Sequence, residues 1–166
     1  MYINLADAYS QLGQYDKAQE TLATAAKIAP SQDYVNLCKA YMDITRGDYA
    51  QAKKDLENVD GEMADYYRGI IALNEGNNED AVEFLKNNPD INLAVAQLNA
   101  GEVKDALKTL KGLNQNDAYV LYLESICYRR LNDPEKAAEY QSRATAIDPC
   151  VHKKAFCNTT PVAICD

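Results

Sequence analysis

The sequence predicts an all-α fold made of stacked antiparallel helix pairs, and three observations carry the prediction. First, a turn residue, a bend residue, an alanine and a leucine recur together: Gly13, Tyr15, Ala18, Leu22; Gly47, Tyr49, Ala52, Leu56; Gly76, Asn78, Ala81, Leu85; and Gly101, Val103, Ala106, Leu110. A fifth, eroded copy reads Asn132, Pro134, Ala137, Gln141. Second, small and apolar residues flank each turn at three- and four-residue spacing, the stripe of an amphipathic helix. Third, 166 residues with 47% hydrophobic and 25% charged side chains supply one continuous core. Recurrence every 20 to 50 residues signals stacked hairpins, not a globule around one central site.

In the first copy, Leu5, Ala6, Ala8, Tyr9 and Leu12 form one helical stripe, and Tyr15, Ala18, Leu22, Ala25 and Ala26 form a second. Gly13 between them supplies the left-handed residue that ends the first helix. Pro30 closes the second helix, and Ser31, Gln32 and Asp33 offer oxygens to cap the next. The second copy repeats this with Leu37, Cys38 and Tyr41 before its turn, and the third with Gly69 and Ala72. Successive turn residues lie 34, 29, 25 and 31 apart, so the middle of the array is shortened. Glu79 to Lys86 leaves about two helical turns before Asn87, Asn88 and Pro89. Pro89 is expected in the first turn of a helix over 90–100. The fifth copy keeps Leu121, Ser125, Tyr128, Ala137, Ala144 and Pro149. The expected organisation is a repeat array over 1–149 followed by a tail over 150–166, a cap or extended segment.

Tyr2, Leu5, Ala6, Tyr9, Gly13, Tyr15, Ala18, Leu22, Ala25 and Pro30 follow one another as in the tetratricopeptide repeat (TPR) family, which this chain resembles over residues 2–149. The resemblance implies a right-handed superhelical solenoid whose first helices line a concave face that holds peptide segments. The loose, shortened spacing is also similar to TPR segments of bacterial cell-envelope proteins. The family's clamp for a chaperone's C-terminal carboxylate needs converging donors. The matching positions here are Ile3, Asp7, Asn36, Met63 and Tyr67, of which only Asn36 fits, so that clamp is rejected.

On the face the resemblance implies, the candidate partner-binding residues are Tyr66, Tyr67, Ile70, Leu73, Val95, Leu98, Tyr119, Tyr122, Ile126 and Arg129. Two readings stand: a groove for the apolar anchors of a protein or peptide segment, or ordinary core covered by curvature or by the chain's own tail. Solvent access at Tyr66 and Tyr122 separates them.

Cys150, His152, Cys157 and Cys165 make a C-x-H-x₄-C-x₇-C pattern of zinc-ligand types, but the spacing matches none of the usual paired motifs and no metal site is assigned. A disulfide within the tail or unpaired thiols are the other readings. Cys38 and Cys127 read as core packing. Val151, Ala155, Phe156, Val162, Ala163 and Ile164 suggest a strip covering Tyr140, Ala144 and Ile147, or one docked on a neighbouring copy.

Net charge is −8, with 15 basic and 24 acidic side chains over residues 1–149. Such a body repels nucleic acid and does not favour anionic membranes. No apolar run is long enough to span a bilayer. Any targeting signal is absent or removed, since helical periodicity begins at Tyr2. One histidine and no glycine-rich phosphate loop leave no catalytic constellation, and no cofactor is expected. Glu124 replaces an expected leucine and is read as a structural ion pair with Arg129, Arg130 or Lys136. The function expected is a non-catalytic protein-protein interaction scaffold. The alternatives are a self-associating structural module, through its tail or terminal helices, or a fragment of a longer repeat array, and a scaffold with a metal- or redox-responsive tail.

Overall fold

A computed structural model describes residues 2–12, 14–28 and 31–153. They fall into two compact units, residues 1–71 and 72–166, divided within one helix. The first unit holds α1 (Tyr2–Gln11), α2 (Tyr15–Ile28), α3 (Gln32–Arg46), α4 (Tyr49–Leu56) and most of α5 (Glu62–Glu75). The second holds the end of α5, then α6 (Asn78–Leu85), α7 (Ile91–Asn99), α8 (Val103–Lys111), α9 (Ala118–Arg130) and α10 (Pro134–Ile147). A short 3₁₀ helix (Val151–Lys153) follows. No strand occurs among the described residues.

The repeated turn is one structure used five times. Gly47, Gly76 and Gly101 take φ of 78°, 82° and 84°, and Asn132 takes 59°, all in the left-handed region where a side chain is disfavoured. The amide after each turn residue reaches back five positions, closing the end of the first helix. Asp48 N donates to Asp43 O at 2.8 Å, Asn77 N to Ala72 O at 2.9 Å, Glu102 N to Gln97 O at 2.8 Å and Asp133 N to Tyr128 O at 3.0 Å. Gln14 N donates to Tyr9 O at 2.8 Å in the same way, although Gly13 itself lies outside the described residues.

The carbonyl of that same residue then opens the second helix. It accepts from the signature alanine in every copy: Ala18, Ala52, Ala81, Ala106 and Ala137, at 3.0 to 3.1 Å. All five alanines are buried, as are Leu22, Leu56, Leu85 and Leu110 one turn further on. The repeated motif therefore marks both a backbone closure and the core contact beside it.

Two boundaries differ from expectation. The short second helices begin already in the second copy: α4 and α6 have eight residues and α8 has nine, against 14 in α2 and α10. After Leu56 the chain turns at once, because Val59 buries itself and Gly61 takes φ of 111°. Pro89 lies before α7, not in its first turn. Asp90 is the N-cap, its Oδ1 accepting from Asn92 N at 2.9 Å and Leu93 N at 3.0 Å, which fixes the helix start one residue later. Ser31 caps α3 as expected, accepting from Tyr34 N at 3.3 Å, whereas Pro30 lies outside the described residues.

Candidate functional site

Within each unit, arginines hold helix ends in place. In the first unit, Arg68 of α5 donates to Leu56 O at 2.8 Å and Val59 O at 2.6 Å while pairing with Asp65 at 2.8 Å. These bonds satisfy the last carbonyl of α4, at Leu56, and that of Val59 in the turn after it. In the second unit, Arg130 of α9 donates to Leu98 O at 2.5 Å, near the end of α7. The sequence offered Arg130 as a candidate partner for Glu124. Its guanidinium instead fastens two first helices together.

The ten candidate residues divide by accessibility. Tyr67, Ile70, Leu73, Val95, Leu98 and Tyr119 are buried. Tyr66, Tyr122 and Ile126 are half-buried and Arg129 is exposed. In the first unit, the Tyr67 ring contacts those of Tyr41 and Tyr66 at centroid separations of 6.1 and 6.2 Å. In the second, Tyr119 and Tyr122 stack at 6.5 Å with an interplanar angle of 19°. Buried Tyr119 thus props the partly open ring of Tyr122, with Ile126 four residues and Arg129 seven residues further along α9. That spacing puts the three on one helical face, offering an aromatic ring, an aliphatic side chain and a cation.

The positions matching the rejected carboxylate clamp fare no better in three dimensions. Asn36 accepts a hydrogen bond from Gln32 Nε2 at 2.8 Å, and Tyr67 is buried. The side chains of Ile3 and Asp7 lie outside the described residues.

One cavity of about 210 Å³ opens in the first unit between α2 and α3, a feature without a sequence signal. Ala18, Leu22 and Tyr41 line it, with Gln19, Thr45 and Arg46 among its polar residues.

Glu124 corrects an expectation. It is fully buried, and neither carboxylate oxygen has a hydrogen-bond partner. The cations that act on it are Arg143 and Lys111, not Arg129, Arg130 or Lys136. Lys136 is engaged with Asp133 at 3.0 Å. Arg129 and Arg130 sit one turn or more further along α9, Arg130 bound to Leu98.

Cys38 and Cys127 are buried and free, and burial pushes both thiols up, Cys127 to about 12 with the neighbouring Glu124 adding to the effect. Cys150 is disulfide-bonded. No group of three or more metal-ligating side chains occurs among the described residues. Of the expected cap, Val151 is fully buried where the 3₁₀ helix packs on α9, while Ile147 is 52% exposed. Phe156, Cys157, Val162, Ala163, Ile164 and Cys165 lie outside the described residues. No helix among the described residues is long and apolar enough to cross a membrane.

The family model described as "Tetratricopeptide repeat" matches residues 1–32 and 118–149, the first and fifth copies. Those two segments match the tetratricopeptide repeat. The chain's fold is similar to that of YrrB, described as a TPR protein with an unusual peptide-binding site. The TM-score is 0.63 and the identity 19%, over 89% of this chain and 85% of that one. MamA of AMB-1 gives a TM-score of 0.62 at 19% identity, over 89% of this chain and 90% of that one. MamA of MSR-1 gives 0.63 at 19%, over 89% and 95%. At this identity the likeness shows the TPR solenoid fold alone. No curated protein matches the sequence. The TPR fold in general is a scaffold for protein-protein interaction.

Proposed function

We propose that this chain is a non-catalytic scaffold that binds an apolar-anchored segment of a partner protein on the faces of its first helices. The contacts fall on Tyr122, Ile126 and Arg129 of α9 in the second unit, while Tyr66 offers a half-buried ring of its own in the first. Tyr67, Ile70, Leu73, Val95, Leu98 and Tyr119 serve beneath them as packing that holds the contact residues in place.

The observation that carries this reading is the Tyr119–Tyr122 stack, with Tyr119 4% exposed and Tyr122 partly open. A rigid, half-open tyrosine beside an aliphatic side chain and an arginine combines the residue types that dominate interface energy at small ordering cost. The solved relative described as having a peptide-binding site supports a segment as the kind of partner.

The test is selection of binding peptides from a random display library by the intact chain, followed by affinity measurement on variants. Tyr122→Ala and Ile126→Glu are expected to weaken selected peptides by roughly tenfold or more while leaving the far-ultraviolet spectrum unchanged. Peptides that bind the variants as well as the parent would contradict this assignment.

A further inference from the structure

Glu124 lies eight residues before the turn residue Asn132, and Leu93 lies eight before Gly101. The fifth repeat has therefore put a carboxyl group where the fourth has a buried leucine, buried it completely and given neither oxygen a partner within hydrogen-bond distance. Most neighbouring donors are turned to other groups, and only the Gln115 amide acts on the carboxyl as a hydrogen-bond donor. Lys111 of α8 lies over the Tyr128 ring at 5.8 Å, and Arg143 of α10 lies over Tyr140 at 4.8 Å with Nη1 4.0 Å from Glu139. Gln115, after α8, gives its amide hydrogens to Leu110 O at 3.0 Å and Leu113 O at 3.3 Å. Tyr140 from α10 and Cys127 from α9 complete the titratable groups that sense the carboxyl. Helix α7 carries no titratable side chain, and the 3₁₀ helix brings buried Val151 and exposed His152.

We propose that Glu124 is a pH-responsive latch on the α9–α10 pair. With its proton it packs as a neutral side chain at the leucine position. On giving that proton to water it forces the pair to loosen until the carboxylate reaches solvent or Arg143. Burying a charged carboxylate without hydrogen bonds costs several kcal/mol, on the order of the stability of a small domain, so opening competes with keeping the charge inside.

The titration points the same way. Burial pushes the Glu124 carboxyl above its ordinary range, and the attraction of Arg143, then of Lys111, and the Gln115 amide offset this only in part. An acid raised in the folded state holds its proton more tightly there than when unfolded. Its contribution to stability is full below the ordinary carboxylate range and is lost as pH rises through the raised folded value. The latch thus closes in acid and loosens as pH rises through the raised folded value. The inference rests on the fold of the second unit and is independent of which partner α9 binds.

The test compares urea unfolding of the full chain with Glu124→Gln and Glu124→Leu from pH 5 to 8.5, alongside carbon NMR of the glutamate carboxyls. The amide of Glu124→Gln keeps the shape and cannot ionise. Relative to it, the parent's folding equilibrium constant is expected to fall by up to about tenfold per pH unit between the ordinary carboxylate value and the raised folded value, and to level off above it. One glutamate resonance, absent in Glu124→Gln, titrates above the ordinary range. Parallel pH profiles for the parent and Glu124→Gln, or a Glu124 resonance titrating within the ordinary range, would overturn the proposal. Should Glu124→Leu fail to fold, the Glu124→Gln comparison decides alone.

Discussion

The fourth and fifth repeats, α7–α8 and α9–α10, share one backbone solution and fill it with different chemistry. Both close with a left-handed turn residue and a bond reaching back five positions, from Glu102 to Gln97 and from Asp133 to Tyr128. Both seat an alanine at the crossing, Ala106 and Ala137. The fourth places Leu93 and Leu110 against it; the fifth places Glu124 and Gln141 at the same register. Each adds one polar bond across the pair, Thr109 Oγ1 to Gln97 Oε1 at 2.8 Å and Ser125 Oγ to Gln141 Oε1 at 3.2 Å. The turn and the alanine therefore suffice to define the hairpin. Leucine positions can be exchanged for polar groups where a longer second helix supplies more contact, 14 residues in α10 against nine in α8.

The sharpest way to break the comparison is truncation at the shared register. Leu110→Ala is expected to cost about 2 to 5 kcal/mol, because Leu110 is fully buried and its short helix has few other anchors. Gln141→Ala is expected to cost about 1 kcal/mol, the scale of one net hydrogen bond. Urea unfolding followed by circular dichroism measures both, and equal losses would show that the two crossings are not different in kind. Next in size is Arg130→Met, which keeps the stem and removes the bond to Leu98 O. A loss of about 1.5 to 3 kcal/mol is expected, with faster amide exchange at the end of α7.

The turns sharpen the comparison at smaller magnitude. No atom lies within 4 Å of the position a Cβ would take at Gly101, so Gly101→Ala probes backbone strain alone, about 1 to 2 kcal/mol. Asn132→Gly should stabilise the fifth turn slightly, since asparagine already tolerates φ of 59° there. Thermal melts of both variants test the pair. The smallest effect is chemical: with its thiol pushed up to about 12, Cys127 should resist alkylation at pH 8 in the folded chain and react in denaturant, as should Cys38. Mass spectrometry reads both sites.

Much of the architecture was legible in sequence because glycine at a left-handed turn and alanine at a helix crossing are demanded by local geometry. Gly47, Gly76, Gly101 and Asn132 could be read off directly for that reason. The start of α7 was misread because a proline before a helix and a proline at its first turn look alike until Asp90 shows which residue caps. Burial on the candidate face was less legible. Tyr67 and Tyr66 are adjacent, yet one is buried and the other half-open, and helical spacing alone does not reveal which neighbour covers a ring. Glu124 was noticed as an exception to the leucine pattern. Its partners were not legible, because Lys111 and Arg143 come from helices that only the packing brings beside it.

The central claim is that the half-open side chains of α9 form a surface for a partner segment. It is tested most directly by backbone NMR of the intact chain titrated with a peptide selected on that chain. The expected result is a cluster of amide shifts centred on Tyr122, Ile126 and Arg129 that disappears in Tyr122→Ala. Shifts confined to other helices, or a cluster unchanged in Tyr122→Ala, would contradict it.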